Sequence, residues 1–181
     1  WFRNDLRLTD NYIVSEAARR ASASPNLEVV PFYCFDSRHY TTSKTSFGFK
    51  KTGARRAKFV IEAVEDLRSR LRAVGSDLLV TCGKPEEEIV KLMNAGGTKV
   101  LTQEEVTSEE LAVDNAVRAA IKASGGELET VWGYSMYHKD DLPFQASLAD
   151  MPNVMTPFKD KCETHSQIRP PVPAPKSLPP V

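Results

Sequence analysis

From Trp1 to Trp132, short apolar runs rich in β-branched and aromatic residues alternate with stretches whose apolar residues recur at helical spacing. That alternation limits the fold more than any other feature. Residues 27–35, Leu-Glu-Val-Val-Pro-Phe-Tyr-Cys-Phe, form an apolar run between polar segments, the mark of a buried strand. From Ala54 onward, Val60, Ile61, Val64, Leu67, Leu71 and Val74 repeat with helical period until Gly75 stops the pattern. A strand over 77–82 follows, then a helix over 85–95 with Pro85 in its first turn and Gly96-Gly97 at its end. Residues 98–102 read as a strand, 108–124 as a helix and 127–132 as a last strand. With a first strand ending near Phe2 the count is five. The order predicts an α/β fold: a Rossmann-like five-stranded parallel sheet with right-handed crossovers and helices on both faces.

A chain of 181 residues with 41% hydrophobic content buries one ordinary core. Residues 1–150 are read as that α/β domain and 151–181 as a short helix, over 157–165, plus a tail. Prolines at 170, 171, 173, 175, 179 and 180 allow neither helix nor central strand, so the tail is predicted to be an extended, polyproline-like interdomain linker. Lys+Arg and Asp+Glu are both 24, so no global charge marks a nucleic-acid binder. The charges are segregated nonetheless: residues 1–75 carry 14 basic and 8 acidic groups, residues 76–150 carry 6 and 14. A dipolar layout of that kind suits docking against a partner. Cys34, Cys82 and Cys162 show no metal-type spacing; Cys34 and Cys82 fall in apolar runs and are expected to be buried, reduced thiols. No stretch approaches the roughly 20 apolar residues of a membrane span. The chain opens inside a motif without an initiator Met, so the natural start and any targeting peptide are expected upstream.

The opening, Trp1-Phe2-Arg3-Asn4-Asp5-Leu6-Arg7-Leu8-Thr9-Asp10-Asn11, lies directly behind a strand exit, where ligands and partners of open parallel sheets sit. Arg3, Asp5 and Arg7 alternate by two with no nucleophile or metal cluster beside them, which assigns them to a domain or partner contact. The glycine fingerprint of dinucleotide binding is absent here, and no GxxxxGK[ST] occurs. His39, His138 and His165 have no second His, Cys or Ser at a diagnostic spacing, so neither a catalytic nor a metal residue is assigned.

The opening block resembles the RNDLR…DN start of the photolyase/cryptochrome family, and three later blocks extend the likeness. Residues 47–59, Phe-Gly-Phe-Lys-Lys-Thr-Gly-Ala-Arg-Arg-Ala-Lys-Phe, resemble the FxFPKTGxxRxxF segment of DASH-type cryptochromes, with Lys50 in place of proline. Residues 99–110 place Glu105 in the loop after a strand, with Gln103 and Glu104 where DASH proteins usually carry His-Lys. Residues 132–144, Trp-Gly-Tyr134-Ser-Met-Tyr-His-Lys-Asp-Asp-Leu-Pro-Phe, are similar to the WGxTLYHxxDLPF block. The resemblance implies the amino-terminal α/β domain, close to DASH cryptochromes and plant photolyase-like blue-light receptors. It further implies a methenyltetrahydrofolate antenna held by Glu105 among Phe47, Phe49, Phe2 and Arg3. FAD is expected only in a separate helical domain, and DNA is reached only through that domain. Full-length relatives are deoxyribodipyrimidine photo-lyases or photoreceptors; the chain alone is expected to be non-catalytic, with a plastid as its compartment and cytoplasm, nucleus or mitochondrion as the others the family uses. The competing expectation is a non-catalytic structural or interaction subunit of a larger assembly.

Overall fold

In the computed structural model, residues 1–24, 26–40, 45, 47–133 and 135–181 are described. The elements in chain order are α1 (Tyr12–Ala23), β1 (Phe32–Asp36), α2 (Ser37–Tyr40), α3 (Ala54–Ala73), β2 (Leu79–Gly83), α4 (Pro85–Asn94), β3 (Lys99–Gln103), α5 (Ser108–Ala123), β4 (Glu127–Val131), a 3-10 turn (Lys139–Asp141) and α6 (Met155–His165).

Alternating side chains of β1 separate two apolar layers, as period-two geometry requires of a strand covered on both sides. Tyr33 joins Phe2, Leu8, Val14, Val64, Leu67, Leu71 and Leu78 in the layer under α1 and α3. Phe32 and Cys34 join Ile89, Met93, Val100, Val117, Ile121 and Leu128 in the layer under α4 and α5. Helices therefore lie on both faces, as the alternation predicts. The sheet itself differs from expectation. Among the described residues there are four strands in two parallel pairs, β1 with β2 and β3 with β4, rather than one five-stranded sheet.

The reason lies in Trp1 and Phe2. The Trp1 nitrogen donates to the Leu101 carbonyl at 2.8 Å, and Phe2 N–H donates to the Phe32 carbonyl at 2.8 Å, so the two residues sit between the pairs and bond to both. Only one bridge, Phe2 with Tyr33, results. Two residues make too few ladder bonds to count as a strand, and the chain then turns where Arg3 N–H finds the Asp5 carboxylate at 2.9 Å.

Other departures have local causes. Strand β1 begins only at Phe32, because Pro31 has no N–H for a ladder and Leu27 and Val30 are exposed. Helix α1 has no counterpart in the sequence reading, since Ile13 and Val14 are its only buried residues. Among the described residues β2 pairs with β1 alone, and its Leu79 and Cys82 are exposed, so the expectation of a buried thiol at Cys82 is corrected; Cys34 and Cys162 are buried, and all three are free. Gly96, at φ +114, ends α4 in the left-handed region, and a side chain at Gly97 would strike Met93 and the Leu92 carbonyl, so the glycine pair stops that helix as read.

The proline-rich tail forms neither helix nor strand and lies on the α/β unit. Asp10 N–H donates to the Val172 carbonyl at 2.7 Å, Val172 N–H returns to the Asp10 carboxylate at 3.3 Å, and Leu178 N–H donates to the Val74 carbonyl at 2.9 Å. Leu178 is itself buried in the α1–α3 layer. No described helix is long and apolar enough to cross a membrane.

Candidate functional site

The site is built around the exits of the Trp1–Phe2 segment and β3. Phe2 is buried, which fixes where the chain leaves the core and places Arg3 at the layer boundary. The Arg3 guanidinium lies 4.7 Å from the centre of the Trp1 ring, a cation–π geometry that holds its plane. One of its amino groups is hydrogen-bonded and ion-paired to Asp114 of α5. Its Nε lies 3.9 Å from the Glu105 carboxylate, beyond hydrogen-bond reach. These side chains are almost sequestered: 10% exposed for Arg3, 9% for Glu105 and 8% for Asp114.

Asp114 was not singled out by sequence reasoning, although the signal was present. It stands three and seven residues before Val117 and Ile121, on the stripe that α5 buries. A carboxylate on an apolar stripe needs a partner.

The opening segment is further determined by Asn11, which is also buried. Its side-chain amide donates to the Asp5 carbonyl at 3.1 Å, the Asp5 carboxylate at 3.2 Å and the Arg7 carbonyl at 2.9 Å. Its oxygen accepts from Ile13 and Val14 N–H, both at 3.1 Å, capping α1. Asp5 is thus a buried acceptor between Arg3 N–H and Asn11. Arg7 points elsewhere: its Nε donates to the Thr9 carbonyl at 3.1 Å and Nη2 to the Asp10 carbonyl at 2.9 Å, with the side chain 45% exposed.

Glu105 is the unusual member. Among the described residues its carboxylate accepts no hydrogen bond, its ion-pair partner being Arg3 at 3.9 Å. Burial pushes its pKa above the ordinary glutamate value, with Arg3 pulling the other way. Burial likewise pushes Asp114 up against the opposing pull of Arg3.

Phe47 and Phe49 are 85% and 72% exposed, so neither plugs the core. Their loop is tied to the same helix, because Lys51 Nζ donates to both Glu109 oxygens at 2.9 and 2.8 Å in the first turn of α5. The fourth block closes on the same edge: Lys139 Nζ reaches Glu104 at 2.6–2.7 Å and lies 5.3 Å from the Trp132 ring centre. His138 Nδ1 accepts from Asp140 N–H at 3.2 Å, a capping role; Tyr134 of this block lies outside the described residues. A cleft of about 260 Å³ opens beside it, lined by Tyr12, Trp132, Met136, His138, Ile168 and Arg169 among others, and not by Glu105. No group of three or more metal-ligating side chains occurs among the described residues.

Comparison with known proteins identifies the family and the fold. The DNA photolyase family model matches residues 1–176. The chain is 47% identical over 186 residues to cryptochrome DASH, chloroplastic/mitochondrial, from Ostreococcus tauri, covering 97% of this chain and 34% of that protein. It is 42% identical over 164 residues to the blue-light photoreceptor PHR2 of Arabidopsis thaliana, covering 90% and 35%. The crystal structure of a Synechocystis cryptochrome superposes with a TM-score of 0.90 at 35% identity, over 99% of this chain and 36% of that one. The chain thus spans about a third of the length of these relatives. The chain therefore belongs to the photolyase/cryptochrome family, as its amino-terminal α/β domain, and is similar to DASH cryptochromes.

Proposed function

We propose that this domain carries a reduced-folate antenna of the methenyltetrahydrofolate type at the β3 exit and docks a flavin-bearing helical domain for blue-light DNA repair or signalling. The observation that supports the reading best is Glu105: a carboxylate 9% exposed, with no hydrogen bond among the described residues. A carboxylate this shielded, with Arg3 at 3.9 Å and no hydrogen bond of its own, keeps acceptor capacity for a ligand that donates hydrogen bonds. A pterin edge supplies ring N–H and amino donors of the right kind. Phe47 and Phe49, exposed at one end of a loop anchored by Lys51, then cover the ring face. When bound, the folate absorbs light and transfers excitation to a flavin.

In this reading Phe2 contributes by setting where Arg3 begins. Arg3 and Asp5 organise the polar side, and Arg7, half exposed, offers charge to the neighbouring domain. The two strand pairs and Trp1–Phe2 act as one five-position sheet in the order β2, β1, Trp1–Phe2, β3, β4. Residues 1–150 form the α/β unit, and 151–181 lead over its surface toward the helical domain, which carries the FAD and the DNA contact. A plastid is the proposed compartment, with mitochondrion, cytoplasm and nucleus as the others. It is supported by the relatives designated chloroplastic/mitochondrial from Ostreococcus tauri, rice and Arabidopsis.

The test is a fluorescence titration with methenyltetrahydrofolate. Glu105→Ala is expected to weaken binding by about 1–3 kcal/mol, the cost of unpaired buried donors. Unchanged affinity would remove Glu105 from the site.

A further inference from the structure

We propose that Asp114 is a positioning residue for Glu105, acting through Arg3: by holding the guanidinium on α5, it keeps Glu105 free to accept hydrogen bonds from a ligand. The inference deepens the folate-carrier reading and rests on it for the ligand's identity.

Two almost sequestered carboxylates compete for one guanidinium. Asp114 takes the hydrogen-bonded position, and Glu105 is left at 3.9 Å. The guanidinium is restrained from a third direction by the Trp1 ring at 4.7 Å. Its own backbone N–H is fixed by Asp5. Arg3 is therefore not free to drift toward Glu105 while Asp114 is charged. If it did, its planar fork would occupy the carboxylate lone pairs that a donor ligand needs, since bidentate arginine–carboxylate pairing is among the strongest hydrogen-bonded arrangements available.

The charged groups facing Glu105 are Arg3 and Asp5 from the opening segment and Glu110 and Asp114 from α5. Arg3 is the only cation among these four, so once its charge is committed to Asp114 the remaining neighbours of Glu105 are anionic. They act with burial to keep its pKa up. A ligand that donates N–H bonds to Glu105 favours the ionised form and reverses that tendency.

Removing the Asp114 charge should therefore do two things that a purely structural residue would not. It lets the guanidinium close on Glu105, lowering the proton affinity of that carboxylate about tenfold, the lower end of the effect of a neighbouring opposite charge. It also spends the acceptor capacity of Glu105 and weakens folate binding near neutral pH about tenfold. The experiment uses the full 181-residue chain with carboxyl-carbon NMR titration in the absence of ligand, followed by methenyltetrahydrofolate fluorescence titration, for wild type, Asp114→Asn and the double variant Arg3→Gln/Asp114→Asn beside Arg3→Gln.

The proposal expects the Glu105 midpoint to fall in Asp114→Asn and the folate dissociation constant to rise. It also expects Asp114→Asn to have little further effect once Arg3 is Gln. An unchanged Glu105 midpoint in Asp114→Asn, or an equal effect with and without Arg3, overturns it. Wild type alone gives a decision if the variants do not fold: Asp114 must ionise at lower pH than Glu105, and the reverse order is contradictory. Absence of folate binding to wild type would defeat the carrier reading, while the NMR titration would still decide whether Asp114 controls Glu105.

Discussion

Both the opening segment and the Phe47–Phe49 loop are tied to α5, but in opposite ways. The opening segment is held by buried groups: Asn11 makes five hydrogen bonds to four residues, Asp5 is enclosed, and Arg3 is gripped by Asp114 and the Trp1 ring. The phenylalanine loop is held at Lys51 by a pair to Glu109, which is itself 64% exposed, while both rings face solvent. Exposed pairs of this kind contribute about 0–1 kcal/mol. The polar half of the candidate site is thus built by the fold, whereas the apolar half gains its burial only when something lies against it.

The largest effect that tests this contrast is on the polar side. Asn11→Ala removes the cap of α1 and takes one hydrogen bond each from the Asp5 carboxylate, the Asp5 carbonyl and the Arg7 carbonyl, so unfolding free energy should fall by about 3 kcal/mol in urea denaturation. A loss below about 1 kcal/mol would mean that water replaces these bonds and that the segment is not enclosed. On the apolar side, replacing Phe47 and Phe49 together by Ala should alter stability by no more than about 0.5 kcal/mol, as expected for exposed positions. The same double variant should weaken folate binding by about 1 kcal/mol or more through lost ring contact. A large stability loss would place the rings in the core and erase the difference between the two regions.

The smallest effect concerns pH. Burial raises the Glu105 pKa, so the folded chain binds that proton more tightly than the unfolded chain. Its contribution to stability is therefore fully present below the ordinary value of 4.5 and is lost as pH climbs through the raised value. Glu16, paired with Arg19 and Arg20 on α1, behaves oppositely: its pKa is held down to about 2, and its contribution is present above the ordinary value of 4.5 and lost as pH falls. The stability advantage of wild type over Glu105→Gln should shrink as pH rises from 4.5, and that over Glu16→Gln should grow between about 2 and 4.5. Parallel trends would show that Glu105 is solvated rather than enclosed.

The residues that alternate or repeat along one element were legible in the sequence. Strands β2, β3 and β4 and helices α3, α4 and α5 fall within a few residues of their expected bounds, because burial imposes period two or period 3.6 on local composition. What escaped depends on contacts across long sequence separations or on single polar residues. Helix α1 carries only two buried residues, so its signal was the Asn11 cap rather than a stripe. Asp114 pairs with a residue 111 positions away, which spacing cannot reveal. Cys82 sits in a run that looks buried, yet β2 pairs with β1 alone among the described residues and leaves Leu79 and Cys82 exposed, which only the strand order shows. The prolines account for a tail without helix or strand; that Leu178 returns to the core could not be read from them.

The most direct measurement of the central claim is amide hydrogen exchange of the chain with and without methenyltetrahydrofolate. The account predicts that residues 47–53 and 104–107 gain protection on binding while residues 3–11, already enclosed, change little. Protection confined to 132–138 and 168–171, around the neighbouring cleft, or no protection at a folate concentration that saturates the fluorescence signal, would contradict it.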